Sequence, residues 1–279
     1  MFCIFLKILL SHYLLISADL YQSYDDVLYI KIADNILNKK WLGDYSHLTL
    51  IKGIGYPLWL SLNSYLGLPL LLSQGIFYIF SGLVLLFSIK RIIKNEIVLS
   101  LLFIIYIFNP FIETRVLREG IYPALSICIL AVYIGLYIYK FEKIFKRVVW
   151  AFISGFSLLF FWITREEGVW IAPLISILTL YTIFGIMRAS CLKKFFRILI
   201  CCFPVLICAS GIQIISTINY FYYGVYTTVE LKSNPFLSAY GALTRVEHAN
   251  FRQYLDVPLD VRQKIYSISP SFNQLKVYL

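Results

Sequence analysis

The chain alternates long apolar runs with short charged turns, and a single long polar stretch, Ser23 to Pro57, interrupts the pattern near its start. The runs fall near 2–18, 70–89, 97–111, 121–139, 148–164, 168–187 and 198–218. Most are about 17–22 residues long, enough for a helix rising 1.5 Å per residue to cross a roughly 30 Å hydrocarbon core. The pattern predicts an all-α polytopic membrane protein with about seven transmembrane helices. The first run has an alternative reading as a cleaved signal peptide. Its Lys7 lies inside the apolar stretch and no A-x-A site follows, so a retained first span is expected.

The polar stretch belongs to a long first loop, 19–69. In YDDVLYIKIADNIL the apolar positions Val27, Ile30, Ile32, Ala33 and Leu37 recur at helical spacing, and Ser23 stands three residues before Asp26 as a capping residue would. The second half, LIKGIGYPLWLSLNSYLGLP, mixes glycine and proline with aromatics. It predicts a turn and then a short helix lying in the membrane interface. The expected organisation is a seven-span module over 1–218 and a polar tail over 219–279 with two weakly amphipathic stretches, 244–255 and 258–268. The tail breaks off at KVYL and reads as truncated.

Charge sets an orientation. The turns after spans two, four and six hold eleven basic residues (Lys90 to Arg197) against two acids, Glu96 and Glu142, while the thirteen other acids fall on the opposite side. Short loops rich in Lys and Arg stay cytoplasmic. The N-terminus is therefore expected inside, with loop 19–69 and the C-terminal tail outside. Composition agrees with the class: 60% of residues are hydrophobic and only 14% charged, well above the apolar share of soluble domains. The net charge of +10 follows from the basic turns. No basic, aromatic-interleaved surface exists outside them, so nucleic acid is not an expected partner. The six cysteines show no pairing scheme and no CxxC, so neither disulfides nor a structural metal are expected.

Candidate chemistry lies in the outer loops. Asp25 and Asp26 open a predicted helix, where two acids commonly cap the N-terminus. Placed at the interface, either could instead serve as a general base or hold a cation. Asp25 is expected to share a helical face with Tyr29, leaving Asp26 to cap or to meet solvent. Lys52 precedes Gly53 and Gly55, where backbone amides can approach an anion, or it is a lysine snorkelling at the interface. The later outer turns are short and crowded: ETRVLREG carries Glu113, Arg115, Arg118 and Glu119, and TREEG carries Arg165, Glu166 and Glu167. Such charges at membrane depth mark a shared site or a salt-bridge cluster that pins the loops.

The order D-D-x-x-Y-x-x-x-A (Asp25, Asp26, Tyr29, Ala33), then Trp41, then Lys52 and glycines leading into Tyr56-Pro57-Leu58, resembles the first outer loop of the GT-C superfamily. Those proteins are membrane glycosyltransferases fed by polyprenyl-phosphate-linked sugars, among them protein O-mannosyltransferases and the aminoarabinose transferases of lipid A. The resemblance covers about residues 19–190. It implies a bacterial inner-membrane enzyme that moves a sugar, with inversion or retention, from a polyprenyl-phosphate-linked donor to a glycan, lipid or protein acceptor outside. Asp25 would act near the acceptor, and Lys52 would contact the lipid-linked phosphate. Tyr29, Tyr56, Arg115, Arg118, Glu119, Arg165 and Glu166 complete the candidate site. The family's further acid in its second outer loop corresponds to Glu113 or to Glu119, and its chains usually continue past the seventh span. Oxygen ligands from Asp25, Asp26 or Glu166 leave room for a divalent cation, Mg or Mn, but no ligand spacing specifies one. A transporter or flippase for lipid-linked glycans, and a non-catalytic or truncated membrane subunit, are the rival readings. A transporter calls for ionisable groups within the spans or for inverted repeats.

Overall fold

The computed structural model describes residues 2–17, 25–109, 113–189, 193–247 and 257–277. The expected cap at Ser23, Cys191, and most of the 244–255 stretch lie outside them. The described residues are helical, with no strand and one isolated parallel bridge between Ser17 and Arg115. Two compact units divide the chain, Met1–Val229 and Glu230–Leu279. The first contains α1 (Phe2–Tyr13), α2 (Asp25–Leu37), α3 (Gly55–Tyr65), α4 (Leu70–Ile89), α5 (Glu96–Ile107), α6 (Tyr122–Ile138), α7 (Ile144–Thr164), α8 (Ala172–Arg188) and α9 (Lys194–Tyr223). The second contains α10 (Asn234–Thr244), α11 (Leu259–Ile268) and the short α12 (Pro270–Asn273), the last two joined by Tyr266 stacked on Phe272.

A helix stands at each of the seven apolar runs. Four segments are long and apolar enough to cross a membrane: Leu70–Ile89, Ile144–Thr164, Glu166–Arg188 and Lys194–Tyr223. The other three are apolar but shorter, with 12 residues in α1, 12 in α5 and 17 in α6. Twelve residues span only about 18 Å at 1.5 Å per residue. The ends of two of these helices have visible partners. The apolar run after α1 leaves the helix at Leu14, and its Ser17 N–H donates to the Thr114 carbonyl at 3.0 Å. Helix α5 starts at Asn95, whose side chain accepts from the N–H groups of Ile97 and Val98, which satisfies two orphan donors of the first turn.

Helix α6 is the centre of the first unit. Leu125, Cys128, Ile129, Ala131 and Val132 are all at most 1% exposed, so a broad face of this apolar helix is sealed in the core. It packs on α4, α7 and α8, and α7 packs on α9. Small residues permit the close approach: a Cβ on Gly155 would strike Ile207, and one on Gly211 would strike Leu159.

The basic turns gather at one end of this bundle. Arg91 and Lys146 pair with Glu142 at 3.1 and 3.7 Å, and Arg197 donates to the carbonyls of Lys140 and Glu142. The polar loop, by contrast, is tied to the far end of α9. Trp41 Nε1 donates to Asn219 Oδ1 at 2.8 Å, and the Tyr223 hydroxyl donates to the Gly43 carbonyl at 2.9 Å.

Candidate functional site

Helix α2 is amphipathic, and its buried face consists of Asp26, Tyr29, Ile32 and Ala33. The i, i+3, i+7 spacing of 26, 29 and 33 keeps them on one stripe. That stripe packs on α3, where Ser61 Oγ donates to the Ala33 carbonyl at 3.0 Å. Asp26, expected to cap the helix or to meet solvent, instead lies on the buried face with Tyr29, and Asp25, one turn before Tyr29, also lies within its electrostatic reach. Asp26 is completely buried and receives Arg115 Nη2 at 3.0 Å. Asp25 lies at the edge of the stripe, its side chain 46% exposed, and receives Lys52 Nζ at 2.9 Å.

The loop after Lys52 is pressed onto the end of α7. A Cβ on Gly53 would come within 2.2 Å of the Ile163 carbonyl oxygen, and one on Gly55 within 2.4 Å of Thr164 Oγ1. Only glycine fits so near another backbone. The Gly53 N–H donates to Glu166 Oε1 at 2.7 Å. The anion at this glycine amide is thus the protein's own carboxylate. The other oxygen of Glu166 takes a short contact from Arg118 Nη1, so one carboxylate joins all three charged loops. Both partners are nearly buried, with side chains 9% and 7% exposed.

Around this pair the remaining charges form a half-exposed ring. Glu119 lies 3.7 Å from Arg118 and 3.9 Å from Arg165, and Glu167 lies 3.1 Å from Arg165 and 4.0 Å from Arg118. Arg165 also covers the face of Tyr122, whose hydroxyl accepts from Trp170 Nε1 at 2.9 Å. Glu113 accepts the Arg115 N–H at 2.9 Å.

Below the charges lie the aromatics. Tyr29 and Tyr56 meet edge to face at 5.1 Å between ring centres and are 1% and 0% exposed. Their hydroxyls, Trp59 Nε1 and Gln74 Nε2 are buried without a well-aligned hydrogen bond. Burial pushes the Tyr29 and Tyr56 phenols well above their ordinary range, so both remain protonated donors. Burial alone would lower the Arg118 guanidinium, but Tyr29, Glu166 and Glu119 outweigh it and raise its pKa.

The structure joins Arg118, Glu119, Arg165 and Glu166 in one ion-pair cluster, to which the Gly53 amide ties the neighbouring Lys52–Asp25 pair, while Asp26 and Arg115 form a pair of their own. Among the described residues no three His, Cys, Asp or Glu side chains are gathered to hold a metal ion. The carboxylates offered for a divalent cation are divided among three ion pairs, with Lys52, Arg115 and Arg118, and do not form a ligand set. Glu167, a charge of the same turn that the candidate site omits, joins the cluster through Arg165 and Arg118. Gln74 lies outside the charged loops, and its signal in the sequence is a lone amide in the strongly apolar 20-residue α4. No family model, no curated protein and no solved structure matches this chain.

Proposed function

We propose that this chain is a membrane glycosyltransferase that moves a sugar from a polyprenyl-phosphate-linked donor to an acceptor at the outer face of a cell membrane. In this reading α1, α5 and α6 join the four long helices as spans, and the charged loops face outward. The observation that carries it is the Asp25–Lys52 pair. It joins the acid that opens α2 to the lysine late in the same loop, at 2.9 Å and partly open to solvent, and these are the two positions at which the GT-C resemblance asks for an acceptor-side acid and a phosphate-side cation.

The division of labour follows from burial. Asp25 and Lys52 are accessible enough to exchange their mutual pairing for substrate. Asp25 would take or orient the proton of the acceptor hydroxyl or amine, while Lys52 and Arg165 would stabilise charge developing on the departing phosphate. Asp26, Arg118 and Glu166 are too enclosed for that exchange and hold the loops in register. The complete mutual pairing of the network favours a second reading, a non-catalytic membrane subunit whose loops are pinned by ion pairs.

The deciding test is Asp25→Asn in the full-length protein, assayed in membranes for transfer of radiolabelled sugar from polyprenyl-phosphate donors. A loss of about 10²–10⁴-fold, the usual scale of general-base catalysis, is expected. Full activity of that variant overturns the assignment. So does loss of all transfer in a stably folded Asp26→Asn protein.

A further inference from the structure

A narrow cavity of about 30 Å³ opens between α1, α4 and the loop that carries Glu113 and Glu119. Its inner wall carries three hydrogen-bond donors: Lys7 from α1, Ser11 one turn further on, and Gln74 from α4. Lys7 is 7% exposed and Gln74 6%. Gln74 Nε2 faces the Tyr56 hydroxyl without completing a well-aligned hydrogen bond to it. Lys7 has no carboxylate within 4.0 Å among the described residues; its ammonium lies over the Tyr78 ring at 5.8 Å. The Lys7 ammonium, open to the cavity, and the buried Gln74 amide both gain from an oxygen partner, and an anion with more than one oxygen serves both. The carboxylates in the same wall are engaged elsewhere, Glu113 with the Arg115 N–H and Glu119 with Arg118 and Arg165.

A second cavity, about 480 Å³ and almost wholly apolar, runs between α4 and α5 past Gly82, Leu86, Leu102 and Tyr106. Asn109 lines both cavities. Tyr78 stacks on Tyr106 at 5.1 Å, so the residue under Lys7 touches the wall of the apolar groove. The surface beside the groove is apolar and outward-facing, with Leu102 42% and Ile105 71% exposed. In a bilayer such a groove is no more apolar than the lipid around it, so a lipid chain is its ordinary occupant, and selection falls to the polar cavity at its end. Gln74 lies four residues into α4, about 6 Å from its start, a depth a lipid headgroup reaches. The polar cavity has room for about two water-sized groups, which suits two phosphate oxygens and not a sugar.

We propose that the two cavities together hold one membrane phospholipid, with two phosphodiester oxygens at Lys7, Gln74 and Ser11 and one acyl chain along the α4–α5 groove. The site shares no assigned residue with the Asp25–Lys52 pair except Glu119 at its rim, and it does not depend on the transfer reading.

The test uses the delipidated full-length protein in detergent and counts bound molecules by native mass spectrometry. Phosphatidylglycerol, diacylglycerol with the same chains, and inorganic phosphate are titrated in parallel. Saturable binding of one phosphatidylglycerol is expected, with diacylglycerol and phosphate each at least about tenfold weaker. Lys7→Gln and Gln74→Leu should each weaken phospholipid binding about tenfold or more. Leu102→Trp, which narrows the groove from its exposed α5 wall, should do the same, and Asp25→Asn should bind as the wild type does. Equal binding of diacylglycerol overturns the headgroup site, and equal binding of inorganic phosphate overturns the groove. Wild-type affinity in a folded Lys7→Gln protein also overturns the proposal, and the wild-type lipid comparison decides the matter if that variant fails to fold.

Discussion

Adjacent acids in one helical turn have opposite fates here. Asp26 is sealed under α3 and bound to Arg115, while Asp25 is half open and bound to Lys52. Removing one member of a buried ion pair strands the other, whereas an exposed pair contributes about 0–1 kcal/mol. Because Arg115 is itself 41% exposed, Asp26→Ala should cost about 2–3 kcal/mol, less than a fully buried pair. Asp26→Asn keeps an acceptor oxygen and should cost about 1–2 kcal/mol. Asp25→Asn should leave stability within about 0.5 kcal/mol of wild type. Thermal unfolding of the three proteins in one detergent checks the ranking, and an Asp25→Asn protein less stable than Asp26→Ala would contradict it. Both acids were legible in the sequence as chemistry; their roles were not, because one residue of helical phase separates inside from outside.

At the scale of elements, the loop between α2 and α3 is held by shape as much as by charge. Gly53→Ala places a methyl 2.2 Å from the Ile163 carbonyl oxygen, and neither backbone can yield without moving the loop. A destabilisation of about 1–3 kcal/mol is expected, together with faster cleavage of the 44–54 segment in limited proteolysis, since loss of the Gly53–Glu166 bond frees Lys52 from its seat. Glu166→Gln should open the same segment, because it removes the charge facing Arg118 but keeps the side-chain volume. Unchanged cleavage in both proteins would show that the loop is held by its contacts with α9 alone. The glycines are visible in the sequence and imply a backbone that can come close to an anion. The sequence could not say that the anion is a carboxylate 113 residues away.

For the whole molecule, the charged loops join at Glu166, and the basic turns form a separate cluster about Glu142. That separation accords with the charge bias along the sequence and makes topology testable. Ser46→Cys and Ser238→Cys, both at exposed positions, should each be labelled from outside intact cells by an impermeant thiol reagent. Protection of both until lysis would reverse the orientation and put the proposed transfer site on the wrong side of the membrane.

Helical class, the position of each apolar helix and the segregation of basic turns are written in the sequence, because they depend on run length and local charge that neighbours along the chain express without help. Tertiary structure decided the rest. It set where the first helix stops, since the run after α1 is drawn away to pair with Thr114. It also chose which base meets which acid. Arg115 lies 89 residues from Asp26 and Glu166 lies 48 from Arg118, and at such separations only packing brings side chains together, because the rotation of each helix about its axis is set by the faces it buries.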